Sequence, residues 1–287
     1  MEVETYIDGD ILPYRVGFVT QRKIYSLVSE GYHSAPVLVT KSKTLVNKYV
    51  KACPDLLVHE ADFIEQPLQA LATLQLAIKN IVQGCRGNGK RFKVVLSGPT
   101  NFRDEVATIQ PYKGNRVDFE KPYYFDMLRN WLMEMPYTIV SEHEEADDVL
   151  SRACLAGHTI ATIDKDLNNT PGTHYNINKK ELYYVGPDEA RRNFYTQFLV
   201  GDTADHIPGI KGIGPKKAEL IFEGCKEEID YENKLMPIFK KEYGGRWFGA
   251  MTEIGRLLWM RREENEMWHP VMGSHHVACG GDDDDGE

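Results

Sequence analysis

The chain has 287 residues, of which 42% are hydrophobic and 27% are charged, a balance typical of a globular protein with a proper buried core. No apolar run is long enough to cross a bilayer, and the N-terminal sequence MEVETYIDGD does not resemble a signal peptide. The five cysteines form no CxxC pair, which argues against a disulfide framework or a zinc site and predicts a cytoplasmic protein.

The net charge of −9 would by itself argue against a nucleic-acid partner. Its distribution weakens that objection, because the C-terminal sequence GDDDDGE carries −5 and leaves −4 on the preceding 280 residues. We expect residues 271–287 to form a disordered acidic tail. Acids that hold divalent cations would reduce the effective charge further.

Strand-like runs alternate with helical patterns over the first 200 residues. The predicted strands are Val3–Ile7, Pro36–Thr40, Leu56–His59, Phe92–Leu96, Tyr137–Val140, Thr159–Ile163 and Glu181–Val185. The predicted helices are Thr44–Ala52, Leu68–Gln83, Tyr123–Met135, Glu145–Ala156 and Asp188–Val200. This alternation predicts an α/β domain with a mostly parallel sheet. Helical patterns alone then continue to about Met267, which predicts a helical C-terminal region.

Four acidic clusters lie at or just after the predicted strand ends, where parallel sheets gather functional side chains. They are Asp8–Asp10, Glu142–Asp148, Asp164–Asp166 and Asp202–Asp205. Taken singly, each could be a turn, a loop acid or a helix cap. Gathered in one cleft, such carboxylates would be driven to protonate unless cations offset them. Oxygen ligands without His or Cys suit Mg²⁺ or Mn²⁺, and two such ions can assist phosphoryl displacement.

The segment FRDEVATIQPYKGNR, residues 102–116, follows a predicted strand and carries several cations. Arg103, Lys113 and Arg116 stand with Tyr112 among them, a pattern that suits a phosphate backbone and a stacked base. A solvated basic loop would have the same composition, so this segment alone leaves both interpretations open.

The segment HIPGIKGIGPKKAELI, residues 206–221, indicates a hairpin that grips a nucleic-acid backbone without reading its sequence. Its glycines permit tight turns, and its lysines stand near a helix N-terminus whose free N–H groups favour phosphate. The predicted DNA-contacting residues here are Gly209, Lys211, Gly212, Gly214, Lys216 and Lys217. The alternative is a glycine-rich turn between packed helices.

These motifs, in this order, resemble the bacterial and bacteriophage 5′→3′ exonuclease and flap endonuclease family. They are Ile7-Asp8-Gly9-Asp10, FRDEVATIQPYKGNR, Glu145-Ala146-Asp147-Asp148, Ile163-Asp164-Lys165-Asp166 and GDTADHIPGIKGIGPKKA. The likeness covers Val3–Asp10 and residues 67–268. It implies a PIN-like nuclease core over residues 1–200 and a helix–three-turn–helix over residues 201–270.

The resemblance implies a two-metal nuclease that cuts DNA at free 5′ ends or 5′ flaps. The implied metal-site carboxylates are Asp8, Glu145, Asp147, Asp148, Asp164, Asp166, Asp202 and Asp205. Lys113 and Arg116 would steady the scissile phosphate in a helical arch, and Arg103 would support substrate near its base. The implied cofactors are two Mg²⁺ or Mn²⁺ ions, with K⁺ at the hairpin. An RNA–DNA hybrid is a further expected substrate, and we expect a monomer without membrane contact.

Two features depart from the family pattern. Ser97-Gly98-Pro99 stands where the family has an Asp, so one metal-site carboxylate is missing unless Asp10 or Asp104 compensates. Residues 21–66 match no family segment and look like an inserted or remodelled region. Two other functions stay open. Asp8-Gly9-Asp10 is a DxD motif after a first strand, which is compatible with a HAD-like phosphatase with Asp8 as covalent nucleophile, and the missing acid is compatible with a DNA-binding protein with weakened catalysis.

The spacing within the second cluster predicts which acids share a helix face. Glu145 and Asp148 are at i, i+3, whereas Asp147 points elsewhere once the helix has formed. Asp147 would reach the same ions only from an irregular first turn. Glu142 and Glu144 are expected to complement the helix N-terminus.

Overall fold

The computed structural model describes residues 3–29, 36–85, 91–116 and 120–272. The strands are β1 (Thr5–Asp8), β2 (Gln21–Ser29), β3 (Leu38–Thr40), β4 (Leu56–Ile64), β5 (Phe92–Leu96), β6 (Thr138–Val140), β7 (Thr159–Thr162), β8 (Gly172–Asn176) and β9 (Glu181–Val185). The helices are α1 (Ile11–Thr20), α2 (Lys43–Ala52), α3 (Pro67–Gly84), α4 (Phe102–Val106), α5 (Phe125–Met133), α6 (Ala146–Leu155), α7 (Pro187–Val200), α8 (Pro215–Ile221), α9 (Glu228–Tyr243) and α10 (Trp247–Leu258). Among the described helices, none is both long and apolar enough to cross a membrane.

The chain divides into two compact units. The first comprises Met1–Asp8, Ile81–Phe119 and Pro136–Glu287, and the second comprises Gly9–Asn80 and Glu120–Met135. Residues 201–272 thus group with the main sheet, and the unmatched region 21–66 lies in the second unit. The predicted tail, residues 273–287 in particular, lies outside the described residues.

The first unit is built on a six-stranded sheet of order β6-β5-β1-β7-β8-β9. All neighbouring strands are parallel except β8 and β9, which pair antiparallel. Ile7 of β1 lies between Val94 and Ala161 of the flanking strands, and all four residues of β7 are buried. Continuous burial is typical of parallel strands covered on both faces. The predicted mostly parallel α/β sheet is therefore confirmed.

Four C-terminal helices, α7 to α10, enclose an aromatic core of the first unit. Phe198, Tyr231, Phe239 and Trp268 are among its buried members. The fully buried carboxylate of Glu232 accepts hydrogen bonds from the N–H groups of residues 271 and 272, both at 2.9 Å. These bonds satisfy a carboxylate that burial alone would penalise, and they tie the end of the described chain to α9. The helical C-terminal region predicted after Val200 is confirmed.

The second unit contains a three-stranded antiparallel sheet of order β3-β2-β4. Its long pairing runs from Gln21↔Ile64 to Ser29↔Leu56, so the region 21–66 is an antiparallel sheet with α2 packed on it. In the same unit α1 packs on α5, where the rings of Tyr14 and Phe125 lie 4.5 Å apart.

Four elements were not predicted: α1, β2, α4 and β8. The sequence of α1, ILPYRVGFVT, carries a proline, a glycine and no polar stripe, so helical periodicity is absent. Pro13 is tolerated because it lies in the first turn, where its missing N–H costs no helix bond. Gly17 is required by close packing, since a Cβ there would lie 2.5 Å from Pro122 Cγ.

Candidate metal centre and phosphate-binding residues

The ends of the adjacent strands β1 and β7 place the first acids of the site. Asp8 closes β1, is 4% exposed, and its Oδ2 accepts a hydrogen bond from Thr162 Oγ1 at 2.9 Å. The same Oγ1 accepts the backbone N–H of Asp164 at 2.9 Å. The N–H of Asp166 in turn donates to Asp164 Oδ1 at 2.8 Å. Thr162, which the sequence did not single out, therefore links the first and third acidic clusters.

Asp147 lies in the first turn of α6, half-buried among other acids. Burial raises its pKa well above the usual range, and the charges of Asp8, Asp164 and Glu145 raise it further, while Lys113 opposes them. Repulsion of this kind requires the four carboxyl groups to be close in space. The structure thus brings Asp147 to the acids from the strand ends, although helix periodicity predicted that it would point elsewhere.

A second pair of acids joins the third and fourth clusters. Burial raises the pKa of Asp166 to about 8, together with a hydrogen bond to Asp202 and the charge of Asp164. The pKa of Asp202 is lowered instead, because hydrogen bonds from Asp166 and from the Ala204 N–H outweigh its burial. Burial and the neighbouring groups thus shift the pKa values of these two hydrogen-bonded carboxyl groups in opposite directions. Gln197 Nε2, from α7, donates to Asp166 Oδ1 at 2.8 Å and fixes its orientation.

The segment around residue 113 covers the remaining two acids. The ammonium of Lys113 forms a salt bridge with Glu145, and the guanidinium of Arg116 contacts Asp205 Oδ1 at 2.6 Å. The Lys113 N–H donates to the Asp205 carbonyl at 2.9 Å, and Lys113 has φ of 52°. Two cations predicted to hold phosphate thus neutralise two of the predicted metal-site acids.

The predicted stacking role of Tyr112 is wrong. Its side chain is 8% exposed and belongs to the aromatic core of the first unit, so no base can stack on it. Its hydroxyl lies 2.8 Å from Glu145 Oε2 and 2.6 Å from Asp205 Oδ2. Tyr112 therefore orients the carboxylates of Glu145 and Asp205 through its hydroxyl.

The predicted roles of Arg103 and Asp148 also need correction. Arg103 is 1% exposed, and its guanidinium meets the fully buried Asp148 carboxylate through two bonds of 2.6 and 3.0 Å. It also donates to the carbonyls of Leu257 and Trp259, so it has no path to a substrate phosphate. Although burial alone would raise the pKa of Asp148, Arg103 and two backbone N–H groups lower it. Asp148 accepts four such bonds and is a structural acid rather than a metal ligand.

Glu144 differs from its expected role as a helix-start acid. It is 8% exposed and bonds bidentately to Arg152, with Arg261 Nη1 3.4 Å from its second oxygen. Arg261 also donates its backbone N–H to Asp148 at 3.0 Å. No pattern in the sequence distinguished Arg261, because the two acids that it contacts, Glu144 and Asp148, are more than 100 residues away along the chain.

Ser97, which stands where the family has a carboxylate, has a structural role at the start of α6. Its Oγ accepts the backbone N–H of Ala146 at 2.9 Å, at the start of α6. Gly98 is held by close packing, since a Cβ there would lie 2.1 Å from the Ser141 carbonyl. Asp10, in the second unit, is paired with Arg129 at 2.8 Å, and Asp104 is exposed in the first turn of α4.

Divalent cations fit the chemistry of this donor set. Within residues 3–29, 36–85, 91–116 and 120–272, no three His, Cys, Asp or Glu side chains are already disposed as ligands of one ion. The acids are nevertheless all oxygen donors, and burial together with the charges of neighbouring acids raises the pKa of Asp147 and of Asp166. Lys113 and Arg116 offset part of that charge from the side. Divalent cations would offset the remaining negative charge of the carboxylates, because such cations prefer oxygen ligands.

The predicted hairpin lies between α7 and α8. Gly201, with φ of 72°, and Gly209 permit a close backbone approach, since a Cβ on Gly209 would lie 2.2 Å from the Val200 carbonyl. Gly212 adopts φ of 78°, and Gly214 caps α8 ahead of Pro215. The predicted contact lysines are all exposed: Lys211, Lys216 and Lys217. The hairpin thus has the form expected for backbone binding, and its DNA contacts stay a prediction.

No family model matches the chain. Over 146 residues it is 34% identical to DNA polymerase I of Bacillus caldotenax, which covers 42% of this chain. Over 100 residues it is 33% identical to DNA polymerase I of Rhizobium leguminosarum, covering 30% of this chain. This chain spans only 16% and 10% of those two polymerases.

Two solved structures share the fold along most of the chain. The T5 D15 protein co-crystallised with metal ions has a TM-score of 0.57 at 14% identity, over 88% of each chain. T5 5′-exonuclease with bound divalent metal ions (zinc) has a TM-score of 0.51 at 16% identity, over 88% of this chain and 89% of its own. The chain has the fold of T5 5′-exonuclease, and its resemblance to the 5′→3′ exonuclease and flap endonuclease family is confirmed.

Proposed function

We propose that the protein is a divalent-metal-dependent 5′-nuclease, which hydrolyses phosphodiester bonds of DNA at free 5′ ends or at 5′ flaps. The observation that carries this function is the approach of Asp147, in the first turn of α6, to Asp8 and Asp164 at the ends of β1 and β7: burial and then the charges of these two acids raise the pKa of Asp147. The shared fold with T5 5′-exonuclease and the sequence match to DNA polymerase I support it.

Two groups of acids suit two Mg²⁺ or Mn²⁺ ions. The first group would be Asp8, Glu145, Asp147 and Asp164, and the second would be Asp166, Asp202 and Asp205. When bound, such ions supply Lewis acidity to the scissile phosphate and to the attacking water. K⁺ at the hairpin, an RNA–DNA hybrid substrate and a monomeric state are further predictions.

Lys113 and Arg116 would hold the scissile phosphate. Both currently face carboxylates, Glu145 and Asp205, from a segment that Asn115 ties to the Thr203 carbonyl at 2.6 Å. A cation that binds these acids would weaken the two salt bridges, because it competes for the same oxygens. The freed ammonium and guanidinium would then be available to bind phosphate oxygens at the edge of the site. Arg103 contributes only indirectly, because it fixes the start of α6 through Asp148.

The hairpin would hold the duplex. Lys211, Lys216 and Lys217 are exposed around a turn whose backbone glycines allow close approach of a phosphate. These contacts carry no sequence information, which suits an enzyme that acts on DNA structure.

The structure offers less support for the phosphatase alternative than for a nuclease. It requires Asp10 to act beside Asp8, but the Asp10 carboxylate is paired with Arg129. The alternative of a DNA-binding protein with weakened catalysis keeps one supporting observation, Ser97 at the position of a family carboxylate.

One assay separates the three functions: a 5′-labelled flap duplex incubated with purified protein in Mg²⁺ and in EDTA. The nuclease predicts short 5′ products only in Mg²⁺, lost in Asp164→Ala and retained in Asp188→Ala, whose side chain is 96% exposed. Intact DNA with retained binding would favour the non-catalytic protein. Turnover of a small phosphomonoester without DNA cleavage would favour the phosphatase.

A further inference from the structure

A cluster of lysines in the second unit stands out in an acidic protein. Between Pro36 and Cys53 the chain has four lysines and no Asp or Glu. We call these residues the α2 lysine face: Lys41, Lys43, Lys48 and Lys51. They belong to the region that matches no family segment, so the family resemblance assigns them no role.

Packing of α2 turns its three lysines, Lys43, Lys48 and Lys51, outward, and Lys41 lies just before the helix. The helix buries Val46 against Tyr25 and Leu27 of β2, with Val50 half-buried beside them. With 3.6 residues per turn, Lys48 and Lys51 lie on the side opposite to Val46. All four lysines of the face are exposed. The packing of α2 therefore uses only its narrow apolar side, and the lysine side chains take no part in it.

Nearby acids do not neutralise this face. In the described part of the chain, none of the four lysines forms a salt bridge, whereas Glu60 pairs with Lys23 and Glu65 pairs with Arg22 at 2.7 Å. The first turn of α2 contains no acid, although a helix N-terminus favours one. Asp55 and Asp62 are the other acids near this sheet, and in the described part of the chain neither forms a salt bridge with a lysine of the face.

We propose that the α2 lysine face binds the phosphate backbone of duplex nucleic acid, as a second contact beyond the nuclease site and hairpin. Charge complementarity selects the occupant, because duplex DNA carries about one negative charge per 1.7 Å of its axis. Single strands are disfavoured, since they are usually held on exposed aromatic platforms. The one aromatic residue of α2, Tyr49, stands on the opposite side of the helix from Lys51.

The proposal is tested by binding of a fluorescent 20-base-pair duplex in EDTA, where metal-dependent cleavage plays no part. The variant is Lys43→Gln, Lys48→Gln and Lys51→Gln together. Its matched control replaces three exposed lysines elsewhere: Lys79→Gln, Lys179→Gln and Lys234→Gln. Both variants change the net charge equally, so a difference between them reports local contact. Circular dichroism and thermal melting confirm that each variant is folded.

We expect the α2 variant to bind duplex about 10-fold more weakly or worse near 0.1 M salt, with its salt-dependence slope reduced by about 2 to 3. The control should retain the wild-type slope. Equal losses in both variants, an unchanged slope, or a loss confined to a single-stranded 20-mer would each overturn the proposal. Cleavage of the flap in Mg²⁺ is measured separately, so a failure of the nuclease assignment would leave this binding result interpretable.

Discussion

Arg103 and Asp148 form a bidentate ion pair, with bonds of 2.6 and 3.0 Å, in the interior of the first unit. Arg103 lies in α4, Asp148 in α6, and the guanidinium also donates to two carbonyls at the C-terminal end of α10, those of Leu257 and Trp259. A pair so buried is costly to break because the remaining charge has no partner. The pair thus ties the C-terminal helices to the helix that carries Asp147.

We expect Arg103→Met to reduce the free energy of unfolding by about 3–5 kcal/mol, since it strands a buried carboxylate. The double change Arg103→Met with Asp148→Leu should cost clearly less than Asp148→Leu and Arg103→Met added together. Urea unfolding of the four proteins measures this coupling. Additive losses would show that the two side chains do not interact.

The raised pKa of Asp166 predicts a pH dependence of stability in EDTA. The folded pKa of Asp166, about 8, lies above its unfolded value, so its stabilising contribution is complete at low pH and is lost as pH rises toward 8. Thermal melting between pH 5 and 8 should therefore show a decline that Asp166→Asn reduces. Saturating Mg²⁺ should remove the decline in the wild type by offsetting the ionised acids. A slope that is identical in Asp166→Asn would contradict this account.

Lys113 is expected to act on the reaction more than on binding. Lys113→Ala should lower single-turnover cleavage of a flap about 10²- to 10³-fold, the usual cost of losing one charge-stabilising donor. Duplex affinity in EDTA should change little, because one phosphate contact among many is lost. The control is Lys121→Ala, whose partner Asp126 lies in the second unit. A large loss of affinity with an unchanged rate constant would assign Lys113 to binding alone.

Ser97→Asp restores the carboxylate that the family pattern contains. We expect it to lower the Mg²⁺ concentration needed for half-maximal cleavage, because an added oxygen donor strengthens a hard-cation site. In EDTA the same variant should melt at a lower temperature than the wild type, since it adds repulsion near Asp147. Ser97→Ala is the control: it loses the bond to the Ala146 N–H, at a cost of about 1 kcal/mol, without adding a ligand. An unchanged Mg²⁺ requirement in Ser97→Asp would place this position outside the metal site.

The hairpin lysines should govern duplex affinity and its salt dependence. Lys216→Ala with Lys217→Ala is expected to reduce the salt slope by about 2, one unit per lost phosphate contact. The thermal stability should be retained, because both side chains are exposed at the start of α8. An unchanged slope would remove the hairpin from the DNA-binding surface.

The sequence was informative where local patterns carry the signal. Alternating elements predicted the parallel sheet, and the glycines of 209–214 predicted a tight turn before α8. Asp8 and Asp164 lie at strand ends as predicted, because parallel strands end on one edge of a sheet, whereas helix periodicity predicted the wrong direction for Asp147. The DNA-binding and metal-binding roles of these residues stay predictions.

Other assignments failed because burial cannot be read from a motif. Tyr112 and Arg103 stand among cations in the sequence, which suggested contact with a substrate. In the folded chain their side chains are 8% and 1% exposed, and each is satisfied by acids from α6. Short elements such as α1 and β8 were also missed, because tertiary packing rather than periodicity selects them.

The sequence by itself determined the order of elements, the acidic clusters and the family likeness, since these depend on residue type and spacing along the chain. Only the tertiary structure decided which carboxylates lie close to one another and which form ion pairs with arginines. That division depends on contacts between residues far apart in sequence, such as Arg103 with Asp148 and Asp8 with Thr162. Burial and the charges of neighbouring acids raise the pKa of Asp147, while the buried guanidinium of Arg103 engages Asp148.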